Sequence, residues 1–80
     1  METLRELAAR VLGVEKEIID DDSSPENIGS WDSFNAIMMV SELEKNFNVR
    51  FSMEEAMSVK NFKNIKDALK KHGVKEGIND

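Results

Sequence analysis

The sequence predicts an all-α fold: a four-helix bundle of three longer helices and one short helix, with a long first loop. Three observations carry that expectation. Apolar residues recur at helical spacing in three separate segments, beginning at Leu4, Ala36 and Phe62. These segments, and a fourth shorter one, follow residues whose side-chain oxygens suit a helix N-cap: Thr3, Asp32, Ser52 and Asn61. The stretch that alternates as an extended segment does is short, Val49-Arg50-Phe51, and no repeat or low-complexity tract interrupts the pattern.

The first helix opens on a capping box, Thr3-x-x-Glu6, in which each side chain reaches the other residue's backbone N–H. Leu4, Leu7, Ala8, Val11 and Leu12 then mark one apolar face, and Gly13 ends it by entering the left-handed conformation without a Cβ penalty. Residues 14–31 form the long connection, with Ile18 and Ile19 expected to turn inward and Ile28 and Trp31 expected to pin the loop onto the helices. The turn chemistry of Asp20-Asp21-Asp22 and Ser23-Ser24-Pro25-Glu26-Asn27 superficially suggests a calcium loop. That reading fails on spacing, because Pro25 stands where such a loop needs glycine and Trp31 where it needs a bidentate glutamate.

The second helix is expected over Ser33–Phe47, capped by Asp32 and stopped by Asn48. At about 100° per residue, Ala36, Met39, Val40, Leu43 and Phe47 share one stripe, whereas Phe34, Ile37, Met38 and Ser41 lie well off it. Burying a large apolar side chain is worth roughly 1.5–3 kcal/mol, so a small domain gains little by leaving three in water. Either the loop covers them or a partner or attached ligand does. Met38 reads as partner-facing, since methionine adapts to several surfaces, and Phe34 as packing under Trp31. Val49 and Phe51 are expected to point inward. Ser52-x-x-Glu55 is a second capping box and opens a short helix ending before Lys60. In the last helix Phe62, Ile65, Ala68 and Leu69 form the buried face, Lys63, Lys66, Lys70 and Lys71 the wet one, and Gly73 the stop. The domain is thus expected to span 1–74, with 75–80, which has no apolar rhythm, as a mobile tail.

Composition narrows the function classes. With 80 residues the chain suffices for one small domain, and with no cysteine it has neither disulfides nor a thiolate metal site. The net charge of −5 is uneven: residues 1–59 carry thirteen acids against five bases, residues 60–80 three against six. That balance argues against nucleic acid and suits docking onto basic patches of proteins. No apolar run is long enough to span a membrane, and the N-terminus lacks the pattern of a secretory leader, so a cytoplasmic monomer is expected.

The stretch of greatest chemical interest is Asp32-Ser33-Phe34. A serine in the first turn of a helix lies beside unpaired N–H groups and the positive end of the macrodipole, a setting that favours an attached phosphate by roughly 0.3–1 kcal/mol. Nucleophilic catalysis fits poorly. It needs a base within hydrogen-bond reach of the serine, and the sole histidine, His72, belongs to the last turn of the last helix. Asp32, as a sequence neighbour, points about 100° away on a helix and does not orient a base as a triad aspartate does. The hydroxyl reads as an attachment point.

On these residues the chain resembles the acyl carrier proteins, and more widely the carrier domains that bear 4′-phosphopantetheine: an Asp-Ser-Leu-like triplet opens an amphipathic helix running to Phe47, and the likeness extends from the first helix through Leu69. The resemblance implies that Ser33 takes 4′-phosphopantetheine from coenzyme A through a separate phosphopantetheinyl transferase, with Asp32 in that enzyme's recognition surface. It implies no catalysis by the chain itself, the arm's thiol holding an acyl group as a thioester. Partner enzymes, namely a loading ligase and synthases or acyltransferases of fatty-acid, polyketide or other specialised lipid metabolism, are expected to read a face made by Phe34, Ile37, Met38, Glu42, Glu44, Glu54 and Glu55. Three positions depart from the pattern. Phe34 replaces the usual leucine, as in carriers resembling the D-alanine carrier, and Asn35 and Met38 stand where fatty-acid carriers place acids. The expectation is therefore a discrete, specialised acyl carrier. The alternatives are an aminoacyl (D-alanyl or peptidyl) carrier, or a helical adaptor that binds through Phe34, Ile37 and Met38 with no prosthetic group.

Overall fold

Thr3 opens the chain's first helix as its capping box requires, its Oγ1 accepting the Glu6 N–H at 3.2 Å while Glu6 accepts the Thr3 N–H at 3.0 Å. The computed structural model describes residues 2–78, and four α-helices follow one another: α1 (Leu4–Leu12), α2 (Ser33–Phe47), α3 (Met53–Ser58) and α4 (Phe62–Lys71). A single 3₁₀ turn at Lys16–Ile18 interrupts the first loop. Every helix starts on the cap read from the sequence; α1 and α2 end on left-handed residues, Gly13 and Asn48. The all-α, three-long-and-one-short arrangement is as expected.

The core lies between α1, α2 and α4, where Leu4, Leu7, Leu12, Met39, Leu43, Phe62, Ile65 and Leu69 are buried. Ala36, Phe47, Val49 and Phe51 pack against it while remaining partly accessible. The long loop contributes Ile19, Ile28 and Trp31 to the same core. Its middle is fastened to the start of α4, whose first N–H groups would otherwise lack acceptors: Phe62 N–H donates to the Ser23 carbonyl at 2.9 Å and Lys63 N–H to the Asp21 carbonyl at 3.2 Å. The aspartates of this loop serve the turn. Asp20 accepts the Asp22 N–H at 2.9 Å, and Asp21 pairs with Lys66 at 2.7 Å.

Three expectations are corrected here. Ile18 is 57 % exposed while Ile19 is buried, because the 3₁₀ turn ends between them and sends adjacent side chains to opposite sides. Phe34 does not pack under Trp31 and is 69 % exposed. The segment after α4 is not a loose tail as far as Ile78: that side chain is 3 % exposed within the core, and the Gly77 carbonyl accepts the Leu4 N–H at 2.6 Å. Asn79 and Asp80 lie outside the described residues.

Four carboxylates are held below the usual carboxylate range: Glu2 by its hydrogen bond from Arg10, Glu6 by the Thr3 backbone N–H, Asp21 by Lys66, and Glu55 by the Ser52 backbone N–H and then by His72. A carboxylate that ionises more readily folded than unfolded contributes stability that is complete above its unfolded pKa and is lost as pH falls through its folded value. The thermal midpoint is therefore expected to be level above about pH 5 and to decline below about pH 4. A midpoint unchanged down to about pH 3 contradicts these pairings.

Candidate functional site: the start of α2

The lead-in to α2 is held by a short chain of hydrogen bonds. Ser30 Oγ donates to the Leu12 carbonyl at 2.6 Å, fixing the loop to the end of α1, and Asn35 Nδ2 returns to donate to the Ser30 carbonyl at 2.8 Å. Trp31, between Ser30 and Asp32, is buried in the core. Asp32 then takes an extended backbone (φ −107°, ψ −176°) and its carboxylate accepts the Asn35 N–H at 2.8 Å. A rigid, capped helix start is the result.

Ser33, the first residue of α2, is exposed, and its Oγ has no hydrogen-bond partner among the described residues. Asp32 satisfies only the third N–H of the helix. The Ser33 and Phe34 N–H groups are left without acceptors among the described residues, facing the side where the dipole favours negative charge. The sole histidine is engaged elsewhere: His72 Nε2 lies 2.8 Å from Glu55 Oε2, and its ring meets Phe51 edge-on with centroids 5.2 Å apart. Among the described residues the serine thus has no hydrogen-bonded base, as a nucleophile would need.

The residues expected to face partners divide by chemistry. Phe34, Ile37 and Met38 are exposed (69, 70 and 41 %) beside Ser33, uncovered by the loop. Of the acids, Glu42 binds Arg10 at 2.9 Å, Glu44 accepts the Phe51 N–H at 2.8 Å, and Glu55 is shared between the Ser52 N–H at 2.9 Å and His72. Glu54 alone of the four is exposed with no partner among the described residues. Two further exposed residues escaped the sequence reading, Met53 and Met57 on α3. Their i, i+4 spacing in a helix too short to bury two faces was the available signal.

Below this surface a cavity of about 40 Å³ opens between α2, α3 and α4. Trp31, Ala36, Met39, Val40 and Leu43 form one wall, Phe51, Glu55, Ala56 and Val59 a second, and Ile65 and Ala68 the floor. Its volume is that of a water or two, and its lining is mostly apolar.

Residues 2–69 match the family described as the phosphopantetheine attachment site. The chain belongs to that family. No curated protein matches it significantly. Domains of the family are non-catalytic carriers that bear a covalently attached 4′-phosphopantetheine, and the all-helical fold agrees with a carrier of the acyl-carrier type. The start of α2 fits such a group: an accessible hydroxyl offers the bond, and two unpaired N–H groups suit the phosphate. Among the described residues no helix is long and apolar enough to cross a membrane.

Proposed function

We propose that this carrier domain receives its phosphopantetheine on Ser33 and works as a monomeric, cytoplasmic acyl carrier for a dedicated pathway. The observation that carries the reading is the exposed, unpartnered Ser33 hydroxyl in the first turn of a capped helix within the family match. When attached, the arm supplies the thiol that holds cargo as a thioester, chemistry a chain without cysteine otherwise lacks. Asp32 holds the helix start and leaves the Ser33 and Phe34 N–H groups for phosphate oxygens. Any transferase that reaches Ser33 must cover Phe34 and Ile37, which lie one and four residues on, so these two and Met38 form the inner part of the docking face. With Glu42, Glu44 and Glu55 committed to internal bonds, that face offers partners apolar contact more than charge. This supports specialised ligases and synthases over enzymes that select a strongly acidic carrier. The aminoacyl reading has one observation in its favour, Phe34 at the position after the serine, which resembles D-alanyl carriers.

The decisive experiment has two arms. Unmodified protein incubated with coenzyme A and a broad-specificity phosphopantetheinyl transferase is expected to gain the mass of one arm; no gain supports a helical adaptor instead. Protein purified from its own host then shows by intact mass whether the arm holds an acyl or an aminoacyl group. For the docking face, Met38→Glu is expected to change which ligases or synthases accept the loaded protein. Its unfolding free energy should stay within about 0.5 kcal/mol, as for surface substitutions generally. Melting of the fold would instead place Met38 in the core.

A further inference from the structure

The chain contains no cysteine, so before any arm is attached all of its sulfur is methionine thioether. Four of its five methionines fall among the described residues, and they divide sharply by exposure. Met39 is 2 % exposed, whereas Met38, its neighbour on α2, is 41 % exposed, and Met53 and Met57 on α3 are 78 and 75 % exposed. The two helices face each other across the apolar cavity, Ala36, Met39 and Val40 on one side and Glu55 and Ala56 on the other. Met38, Met53 and Met57 take no part in that lining and stand in water instead. Nothing in the core depends on them: the buried residues of α2 are Met39 and Leu43, and α3 has none.

We propose that Met38, Met53 and Met57 are modification sites for hydroperoxides, and that their oxidation weakens docking of the transferase around Ser33. An exposed thioether attacks one oxygen of hydrogen peroxide with a sulfur lone pair, so that an S–O bond forms as the O–O bond breaks. The proton of the transferred oxygen moves to the departing one, which leaves as water; sulfur gives up two electrons and the peroxide takes them. The product, a sulfoxide, is a polar hydrogen-bond acceptor where an apolar, adaptable side chain stood. Covering it with an apolar partner surface leaves that acceptor unpaired, which opposes binding. Glu42, Glu44 and Glu55 are bound internally, so the face has little charge with which to offset the loss. The proposal rests on the assignment of Ser33 and of the docking face around it.

The test treats the full unmodified chain with hydrogen peroxide, removes the excess with catalase and locates the added oxygen by fragment mass spectrometry. One oxygen is expected on each of Met38, Met53 and Met57. Met39 should react about tenfold more slowly or less, because its sulfur is reached only when the fold opens. The oxidised chain is then given coenzyme A and the transferase. Its KM for arm transfer is expected to rise roughly three- to thirtyfold, the effect of covering one partly compensated polar group. The thermal midpoint should stay within a few degrees, and methionine sulfoxide reductases of both epimer specificities should restore the KM. The triple variant Met38→Leu, Met53→Leu, Met57→Leu, whatever its own starting KM, is expected to show no change after peroxide. Oxidation of Met39 as fast as Met38, an unchanged KM in the oxidised chain, or an equal rise in the leucine variant overturns the proposal while the Ser33 assignment stands. An untreated chain that gains no arm at all overturns both.

Discussion

Exchanging Ser33 for alanine is expected to abolish transfer of the arm while leaving the thermal midpoint within a few degrees of the parent protein, roughly the shift produced by 0.5 kcal/mol in a domain of this size. The two halves of that result have separate causes. The Ser33 side chain is exposed and bonds to nothing among the described residues, so its removal disturbs no contact that holds the fold. It also carries the one side-chain hydroxyl of Asp32-Ser33-Phe34, beside an Asp32 carboxylate that serves as the helix cap by accepting the Asn35 N–H. Intact-mass measurement after incubation with coenzyme A and transferase reads the first half, and a melting curve the second. A mass gain in Ser33→Ala would move the attachment elsewhere. Asp32→Ala separates position from chemistry. It removes an N-cap and is expected to lower stability by about 1 kcal/mol, slowing transfer without abolishing it because the hydroxyl remains.

A large stability effect is expected away from that site, from Ile78→Ala, at about 2–4 kcal/mol. An 80-residue domain has in total roughly 4–12 kcal/mol to lose, so this one side chain governs a sizeable share. Ile78 is 3 % exposed, and the residue before it accepts the N–H of Leu4, itself fully buried. The Gly77-Ile78 segment therefore closes over the start of α1. Lys75→Ala, at an exposed position of the same segment, is the matched control and should change little. Urea unfolding of the two variants checks the contrast; equal midpoints would show that the segment merely rests on the bundle. The exchange of Ser33 and that of Ile78 thus have opposite signatures, one losing modification with the fold intact, the other losing stability with the hydroxyl untouched.

What the sequence made legible follows the range of the interaction. Caps and periodicity act within four residues, and Thr3–Glu6, Asp32–Asn35, Ser52–Glu55 and Asn61–Asn64 all form as read. That Ile37 and Met38 stand off the core stripe was visible too, because helical geometry alone sets them there, whereas the exposure of Phe34 was not, since packing under Trp31 fitted the same geometry. Contacts between distant residues were not legible. Arg10 reaches Glu42 across two helices and Glu44 turns back to the Phe51 N–H, so acids that looked available for partners were already spoken for. Glu55 was partly readable, since its capping box was plain and a capping carboxylate is not a free one; its second bond, to His72, was not. Ile78 was missed for a related reason. A lone isoleucine with no periodic neighbours carries no signal of its own, and only the bundle's shape gives it a place. The division between Ile18 and Ile19 depended on a single turn of 3₁₀ geometry, which two adjacent β-branched residues do not announce.

The bonds from Phe62 and Lys63 to the carbonyls of Ser23 and Asp21 have a consequence for how the molecule assembles. Those carbonyls lie in the segment that leads to Ser33, while the donors belong to the last helix, so neither stretch settles without the other. Cut between α2 and α3, the N-terminal fragment would keep the serine but lose the partner that orders its approach. A transferase would then meet a floppy peptide in place of a shaped surface. On the proposed attachment at Ser33, recognition is thus coupled to folding, and a chain whose final helix is incomplete is expected to be a poor substrate for the transferase.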